Sequence, residues 1–308
     1  MASFPQSLLR PSSSCDLEKR IPVASIARAW REMGFDPTPE LAGVESIGLW
    51  RCRESQLQFY SPAPIGSEQL YAFLDQQGWY YAPDKWEFTR AAEFLKAQAC
   101  RSVLEVGCGS GWFLKIAGNI GLRAQGIDLN SAAVAQAKAG GLDASTSTMA
   151  ELISTGERYG AACAFQVLEH VAHPADFIAE LVELVEPGGY VIFCTPDGDG
   201  WLGQRLQPLD MPPHHVTRWG RAAFAYLPRL FPLDVVALVS EPLAASHYGA
   251  WAAALVDPDP AGSEPPLSMP RRLSVGKRLL VAVLRLLQQL LPASPAQGQS
   301  LIAIYRRR

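Results

Sequence analysis

Five histidines, His170, His173, His214, His215 and His247, are the side chains of this 308-residue chain best suited to moving a proton near neutral pH, since a free imidazole titrates at about 6.5. Four of them fall in two short segments. One is Leu168-Glu169-His170-Val171-Ala172-His173-Pro174, and the other is Asp210-Met211-Pro212-Pro213-His214-His215-Val216-Thr217-Arg218-Trp219. In the second, two prolines stiffen a loop that presents adjacent histidines, followed by Arg218 and Trp219. His214, His215 and His170 are the candidate catalytic groups, with a backbone-bonded structural role as the alternative for each.

A second chemical feature lies at residues 101–111, where the apolar Val103, Leu104 and Val106 run into glycines at alternate positions, Gly107, Gly109 and Gly111. Glycine permits positive φ and a close approach to the main chain, so a strand, this loop and the helix that follows make a nucleotide-type site. The dinucleotide fingerprint needs a wider glycine spacing. Here the spacing is G-x-G-x-G, and Glu105 stands two residues before the first glycine. A carboxylate there suits a cationic ligand and does not suit a pyrophosphate. The alternative is a tight turn beside a solvated acid.

The elements that must position these groups alternate. Strands are expected at 122–127, 142–146, 161–167, 190–194, 233–239 and 300–305 after the glycine strand, with helices between them. Asp128 follows the second of these strands, 17 residues past Gly111, placed to accept hydrogen bonds from both hydroxyls of a ribose. Ser131 is read as the cap of a helix over 132–139, stopped by Gly140 and Gly141. The resulting fold class is α/β, a doubly wound sheet with ligands at its carboxyl edge.

The glycine loop with Glu105 resembles the first motif of the class I S-adenosylmethionine-dependent methyltransferases. The run Leu168-Glu169-His170, Pro187-Gly188-Gly189, Thr195-Pro196 resembles that of small-molecule methyltransferases of the ubiquinone-biosynthesis type. With Asp128 the resemblance covers about residues 88–240. It implies a Rossmann-like, seven-stranded, mostly parallel sheet with an antiparallel edge strand, and S-adenosylmethionine as cofactor. Carried over residue by residue, the cofactor site is Glu105, facing the methionine end, with Gly107, Cys108, Gly109, Gly111, Asp128, Leu129, Thr148, Met149, Gln166, Leu168 and His170. Where related enzymes place an acid to hold the adenine, this chain has Ser147 or Thr148, with Glu151 a turn later.

The activity implied is methyl transfer to an oxygen, in preference to nitrogen or carbon, of a small molecule, glycan or lipid-linked acceptor. A cofactor-binding but inactive partner subunit is the alternative, because the adenine position departs from the pattern. A nicotinamide oxidoreductase is disfavoured by the glycine spacing and Glu105. The segment around Cys52 resembles the zinc-ribbon lead-in of some methyltransferases. Only Cys52 occupies such a position, with Cys15 far upstream, so no metal is expected.

Domain boundaries are read as an N-terminal α+β extension at 1–87, the core at 88–242, an insertion at 243–299 and a last strand with basic tail at 300–308. Residues 1–20 are expected to be poorly ordered, and 21–35 to form a helix. An aromatic cluster, Trp79, Tyr80, Tyr81, Trp86 and Phe88, precedes the core; it either packs the extension or closes over a ligand. The six cysteines include no C-x-x-C pair, so disulfides are not expected. No apolar stretch of membrane-spanning or signal-peptide type occurs, and a cytoplasmic location is expected.

The net charge of −3 hides an asymmetry. Residues 271–308 hold eight basic residues and no acid, leaving 19 basic and 30 acidic residues before them. That acidic body makes nucleic acid an unsuitable substrate. Within the tail, Arg271, Arg278 and Arg285 recur every seven residues among leucines and valines. The amphipathic segment 271–291 either packs on its own domain or a homodimer interface, or lies on an anionic membrane surface.

Overall fold

Strand β1 (Cys15–Pro22) leads directly into helix α1 (Val23–Glu32), the hairpin β2 (Ser46–Cys52) and β3 (Gln58–Ser61), then α2 (Glu68–Asp75) and α3 (Trp86–Ala97). The alternating unit follows as β4 (Ser102–Val106), α4 (Trp112–Asn119), β5 (Arg123–Ile127), α5 (Ser131–Ala139), β6 (Asp143–Ser145), α6 (Met149–Ser154), β7 (Tyr159–Phe165), α7 (Pro174–Glu183) and β8 (Val185–Pro196). Then come β9 (Thr217–Arg218), α8 (Arg221–Tyr226), β10 (Leu233–Pro242), α9 (Tyr248–Val256), α10 (Val275–Leu290) and β11 (Gln297–Arg307). The computed structural model describes residues 5–77, 80, 83–201, 203, 206–256, 275–290 and 297–308. Trp79, Tyr81 and the proline-rich stretch 257–270 lie outside the described residues.

The main sheet has seven strands in the order β10-β11-β8-β7-β4-β5-β6. Strands β4 to β8 are mutually parallel, and β11 runs antiparallel to both β8 and β10. The reversed strand therefore sits one in from the edge. Alternate side chains enter opposite cores, as the two-residue period of a strand requires. Val103, Ala161, Cys163, Ile192 and Cys194 pack with Phe88, Leu95 and Phe113 on one face. Leu104, Ala162, Ala164, Val191 and Phe193 pack with Ile178, Leu181 and Phe224 on the other. Both faces being dry is why these strands carry unbroken apolar runs.

A second sheet, β1-β2-β3-β9, is antiparallel throughout. Its last strand comes from residues 217–218, so the N-terminal sheet closes only with a segment far downstream. Three expectations change here. Residues 15–20 are ordered, because β1 pairs with β2 along its length and Leu9 is buried against the main core. The helix expected from residue 21 starts at Val23, since Ile21 and Pro22 still pair with β2. Cys15, remote from Cys52 in sequence, lies directly opposite it in the register, and both thiols are free. In the main domain the cap of α5 is Asn130, not Ser131: its side-chain oxygen accepts from the Ala132 and Ala133 N–H groups at 3.1 and 3.2 Å.

The two sheets join at Trp219, whose ring is fully buried and stacks on Phe224 with centroids 5.0 Å apart. Its indole N–H donates to the Thr217 hydroxyl at 2.9 Å, and its carbonyl accepts from Gly198 at 2.8 Å. Trp219→Ala is expected to lower the unfolding free energy by about 3–5 kcal/mol, the range for emptying an aromatic core position, measured by urea denaturation.

Candidate functional site

The glycine loop is held from behind. The N–H groups of Gly107 and Cys108 donate to the Ile127 carbonyl at 2.8 and 3.1 Å. All three loop glycines have positive φ, 79° at Gly107, 51° at Gly109 and 82° at Gly111. A Cβ on Gly107 would come within 2.4 Å of Val167, and one on Gly111 within 2.5 Å of Leu142. At these two positions glycine is required by backbone conformation and by neighbouring protein, as well as by any ligand.

Asp128 faces this loop. Its Oδ2 accepts from the Gly109 N–H at 2.7 Å and its Oδ1 from Asn130 at 2.8 Å, which fixes the carboxylate and leaves a second lone pair on each oxygen for a ligand hydroxyl. Leu129 stands 84% exposed beside it. Thr148 and Glu151 form a reciprocal capping box at the start of α6. That gives both a structural duty at the adenine position, while Met149 next to them is buried.

Glu105 is 2% exposed, and its Oε2 has no hydrogen-bond partner among the described residues. Burial, reinforced by the nearby Asp128 charge, pushes its carboxyl well above the ordinary range. A dehydrated acid pair of this kind is relieved by a cationic ligand, and so fits the amino-acid end of a sulfonium cofactor.

Beyond β7 the chain is strained. Gln166 adopts φ 56°, a conformation that non-glycine residues keep only where the surroundings impose it. Its N–H donates to the Cys194 carbonyl at 2.7 Å and its amide to Glu87 at 3.2 Å. Val167, against which Gly107 packs, leads into a turn of 3₁₀ helix over Leu168–His170. Two bonds dock the double-histidine loop on this turn. Val216 N–H donates to the Glu169 carbonyl at 2.8 Å, and the Thr217 hydroxyl donates to the Leu168 carbonyl at 3.1 Å.

The docking brings His170, His214 and His215 together. Ring centroids lie 4.7 Å apart for His170 and His214, 4.8 Å for His170 and His215, and 4.4 Å for the stacked His214 and His215. Hydrogen bonds set the tautomers. His170 Nδ1 donates to the His214 carbonyl at 2.8 Å, with the Tyr71 hydroxyl 3.3 Å from the same nitrogen. His214 Nδ1 donates to the Leu209 carbonyl at 2.7 Å. His215 Nδ1 faces Asp210 Oδ1 at 3.4 Å. The Tyr80 hydroxyl donates to His214 Nε2 at 3.0 Å. Burial pushes His170 down from 6.5 to about 4, and burial with the neighbouring imidazoles pushes His214 well below its usual value. Burial, His170 and Arg218 do the same to His215. All three are neutral imidazoles at physiological pH.

Arg218 and Trp219, which follow the double histidine, face inward. Arg218 is 4% exposed, bonded to Asp210 Oδ2 at 2.9 Å, to Gln58 at 3.1 Å and to the Gly203 carbonyl. Burial works against its cation, but Asp210 outweighs it and the guanidinium stays charged. The pair anchors the loop and, through Asp210, His215. His173 is exposed and joins no cluster.

Several site residues have no legible sequence signal. Glu87, 4% exposed in the first turn of α3, bonds Gln166. Lys85 precedes α3, and its ammonium lies 6.0 Å from the centre of the Phe88 ring. Tyr71 and Tyr80 reach the histidines from α2 and the stretch after it. Only the aromatic lead-in was visible beforehand, and its Tyr80 does meet the site.

The fold and this site define an α/β domain that binds a cationic nucleoside at the carboxyl edge of its sheet. A family model described as methyltransferase domain matches residues 79–263. The chain belongs to this family, the class I S-adenosylmethionine-dependent methyltransferases. It is 27% identical over 169 residues to a probable S-adenosylmethionine-dependent methyltransferase of Mycolicibacterium smegmatis, covering 54% of this chain and 64% of that one. It is 35% identical over 119 residues to a ubiquinone biosynthesis O-methyltransferase of Thiobacillus denitrificans, covering 36% of this chain and 49% of that one. The chain thus spans between about half and two thirds of the length of these curated relatives. A solved S-adenosylmethionine-dependent methyltransferase from Archaeoglobus fulgidus aligns over 77% of this chain and 100% of its own, at 16% identity and a TM-score of 0.46.

Glu169 is 2% exposed, and neither carboxylate oxygen has a partner among the described residues. Burial raises it from the usual 4.5 to about 8. Between those values the folded chain holds this proton more tightly than the unfolded one, so this group's contribution to stability falls as pH rises through the window and stays lost above it. Glu169→Gln is therefore expected to raise the thermal midpoint relative to the unaltered protein more at about pH 9 than at about pH 5, measured by calorimetry across pH.

Proposed function

We propose that this protein transfers the methyl group of S-adenosylmethionine to a hydroxyl oxygen of a small or lipid-linked acceptor, with the histidine cluster on the acceptor side. The observation that carries this reading is continuity: Gly107 of the cofactor loop packs on Val167, and the turn just after Val167 carries His170 and docks His214 and His215. The bound cofactor supplies an electrophilic methyl on a sulfonium, already a good leaving group. What the protein adds is alignment, exclusion of water and help for the acceptor's proton.

Glu105 and Asp128 suit the cationic and ribose ends of the cofactor, for the reasons of burial and bonding given above. On the acceptor side, each imidazole directs its Nδ1–H at an oxygen, which leaves Nε2 as the basic atom. Neutral bases favour a hydroxyl acceptor over an amine that is already protonated. The O-methyltransferase name of the Thiobacillus denitrificans relative supports the same choice of atom.

Incubation with isotopically labelled cofactor is expected to yield methyl ethers of hydroxylated aromatic or glycan acceptors. His214→Ala and His215→Ala are each expected to reduce kcat by about 10²–10⁴-fold, the usual scale of general acid–base help, with the cofactor Kd nearly unchanged. Label recovered only on nitrogen, or turnover unchanged in both variants, would remove this reading.

A lipid-linked acceptor is supported by α10. Leu279, Leu280, Val283 and Leu286 of this helix are exposed, 68% at Leu279, and Lys277 and Arg278 stand near its start. Among the described residues no helix is long and apolar enough to cross a membrane. An apolar face with basic neighbours suits the surface of an anionic bilayer. Co-sedimentation with phosphatidylserine vesicles is expected for the full chain and lost on deletion of residues 271–291; equal sedimentation would discard the membrane role.

A further inference from the structure

We infer that His170, His214 and His215 form a binding site for one divalent transition-metal cation, with zinc the best match. One ring nitrogen from each histidine lies within 4.8 Å of one from each of the others. Three nitrogens around 2.0–2.1 Å from a common zinc ion would be mutually closer than this, so side-chain rotation of modest size closes the site.

The hydrogen bonds prepare the rings for such a role. A metal-bound histidine typically directs its other N–H at a backbone carbonyl or a carboxylate, which fixes the tautomer and the ring plane. All three do so here: His170 Nδ1 to the His214 carbonyl at 2.8 Å, His214 Nδ1 to the Leu209 carbonyl at 2.7 Å, and His215 Nδ1 toward Asp210 at 3.4 Å. Nε2 is thereby left as the donor atom of each ring. Among the described residues the Tyr80 hydroxyl, 3.0 Å from His214 Nε2, is the one hydrogen-bond partner of these three atoms. It would turn aside for the cation or become a further oxygen donor to it.

His214 and His215 are 4% and 7% exposed, and apart from the Tyr80 hydroxyl nothing among the described residues pairs with the clustered lone pairs, so an arriving cation meets little competition there. Glu169, one position before His170, has both side-chain oxygens buried and without a partner among the described residues. The ligand set selects the class of ion, because neutral imidazoles suit zinc, cobalt, nickel and copper, whereas magnesium and calcium require oxygen.

A three-histidine set leaves a fourth position open to an oxygen ligand, the arrangement of catalytic rather than structural zinc. In this protein that ligand would be water or the acceptor's hydroxyl, which the cation, in place of a free imidazole, would make more acidic; this last assignment rests on the O-methyl reading above, whereas the cation site rests on the histidines alone. It also departs from the expectation of no metal, which rested on the incomplete ligand set of the N-terminal hairpin.

The test uses the full chain after treatment with a chelator, without cofactor or acceptor. Titration calorimetry with zinc chloride is expected to give one ion per chain, and magnesium chloride no binding heat. Cobalt(II) is expected to give visible absorption bands of a low-symmetry, nitrogen-ligated ion. His170→Ala, His214→Ala and His215→Ala are each expected to weaken zinc by at least about 100-fold, beyond the 10–100-fold cost of losing an outer partner. His173→Ala, in an exposed histidine outside the cluster, is expected to bind as the unaltered chain does. Should the cluster variants fail to fold, as judged by circular dichroism, the cobalt spectrum of the unaltered chain decides alone. Absence of zinc and cobalt binding by the unaltered chain, or undiminished binding in a folded His214→Ala/His215→Ala double variant, overturns the site. Zinc binding without any hydroxyl methylation would retain the site and remove the reaction; methyl ether formation without zinc binding would do the reverse.

Discussion

Everything at the site depends on two hydrogen bonds that fasten residues 216 and 217 to the carbonyls of Glu169 and Leu168. They bring a loop from late in the chain against the turn that ends β7, and the same loop supplies β9 to the N-terminal sheet. Without them the main sheet would still carry its cofactor loop, but His170 would stand without His214 and His215. The bonds are short, buried and backbone-directed on the acceptor side, which is why they define geometry more strictly than exposed side-chain contacts do.

The second organising fact is the removal of water from charged or chargeable groups. Glu105 and Glu169 are both nearly inaccessible and both carry unpartnered oxygens. Burial raises each of them and lowers the three histidines. Buried groups of this kind cost stability unless paired, and they concentrate where a ligand of opposite charge is meant to arrive. Arg218 and Asp210 differ: their side chains, 3% and 18% exposed, are mutually bonded at 2.9 Å, and the pair serves to hold the loop rather than to meet a ligand.

The N-terminal sheet is part of this arrangement. Tyr60 on β3 donates its hydroxyl to the Asp210 carbonyl at 2.8 Å, and Gln58 on the same strand accepts from Arg218. Tyr71 on α2 reaches His170. The extension thus braces the double-histidine loop from the side away from the main sheet, and the acceptor half of the site is built from two sheets that the chain order keeps apart.

Much of the cofactor half was legible in the amino-acid sequence. Glycine spacing, the acid at 105 and the acid at 128 are local patterns, and strand, loop and helix follow from short-range periodicity and backbone sterics. The seven-stranded, mostly parallel sheet was implied by the family resemblance, and its strand order is seen only in the structure. Residue roles that depend on long-range contact were not legible. Glu87, Lys85 and Tyr71 have ordinary local contexts and become site residues only by proximity, whereas Tyr80 belongs to the aromatic lead-in that the sequence shows. Arg218 merely follows the double histidine in sequence, and burial against Asp210 makes it the anchor of that loop.

The sequence by itself determined the fold class, the family and the cofactor loop, since each is carried by short motifs and local periodicities whose geometry local physics controls. Tertiary structure alone decided that three histidines from positions 170, 214 and 215 meet with their Nδ1 atoms committed to oxygen partners. Spacing along the chain carries no information about that meeting, because it is made by strand pairing and loop docking between segments more than forty residues apart.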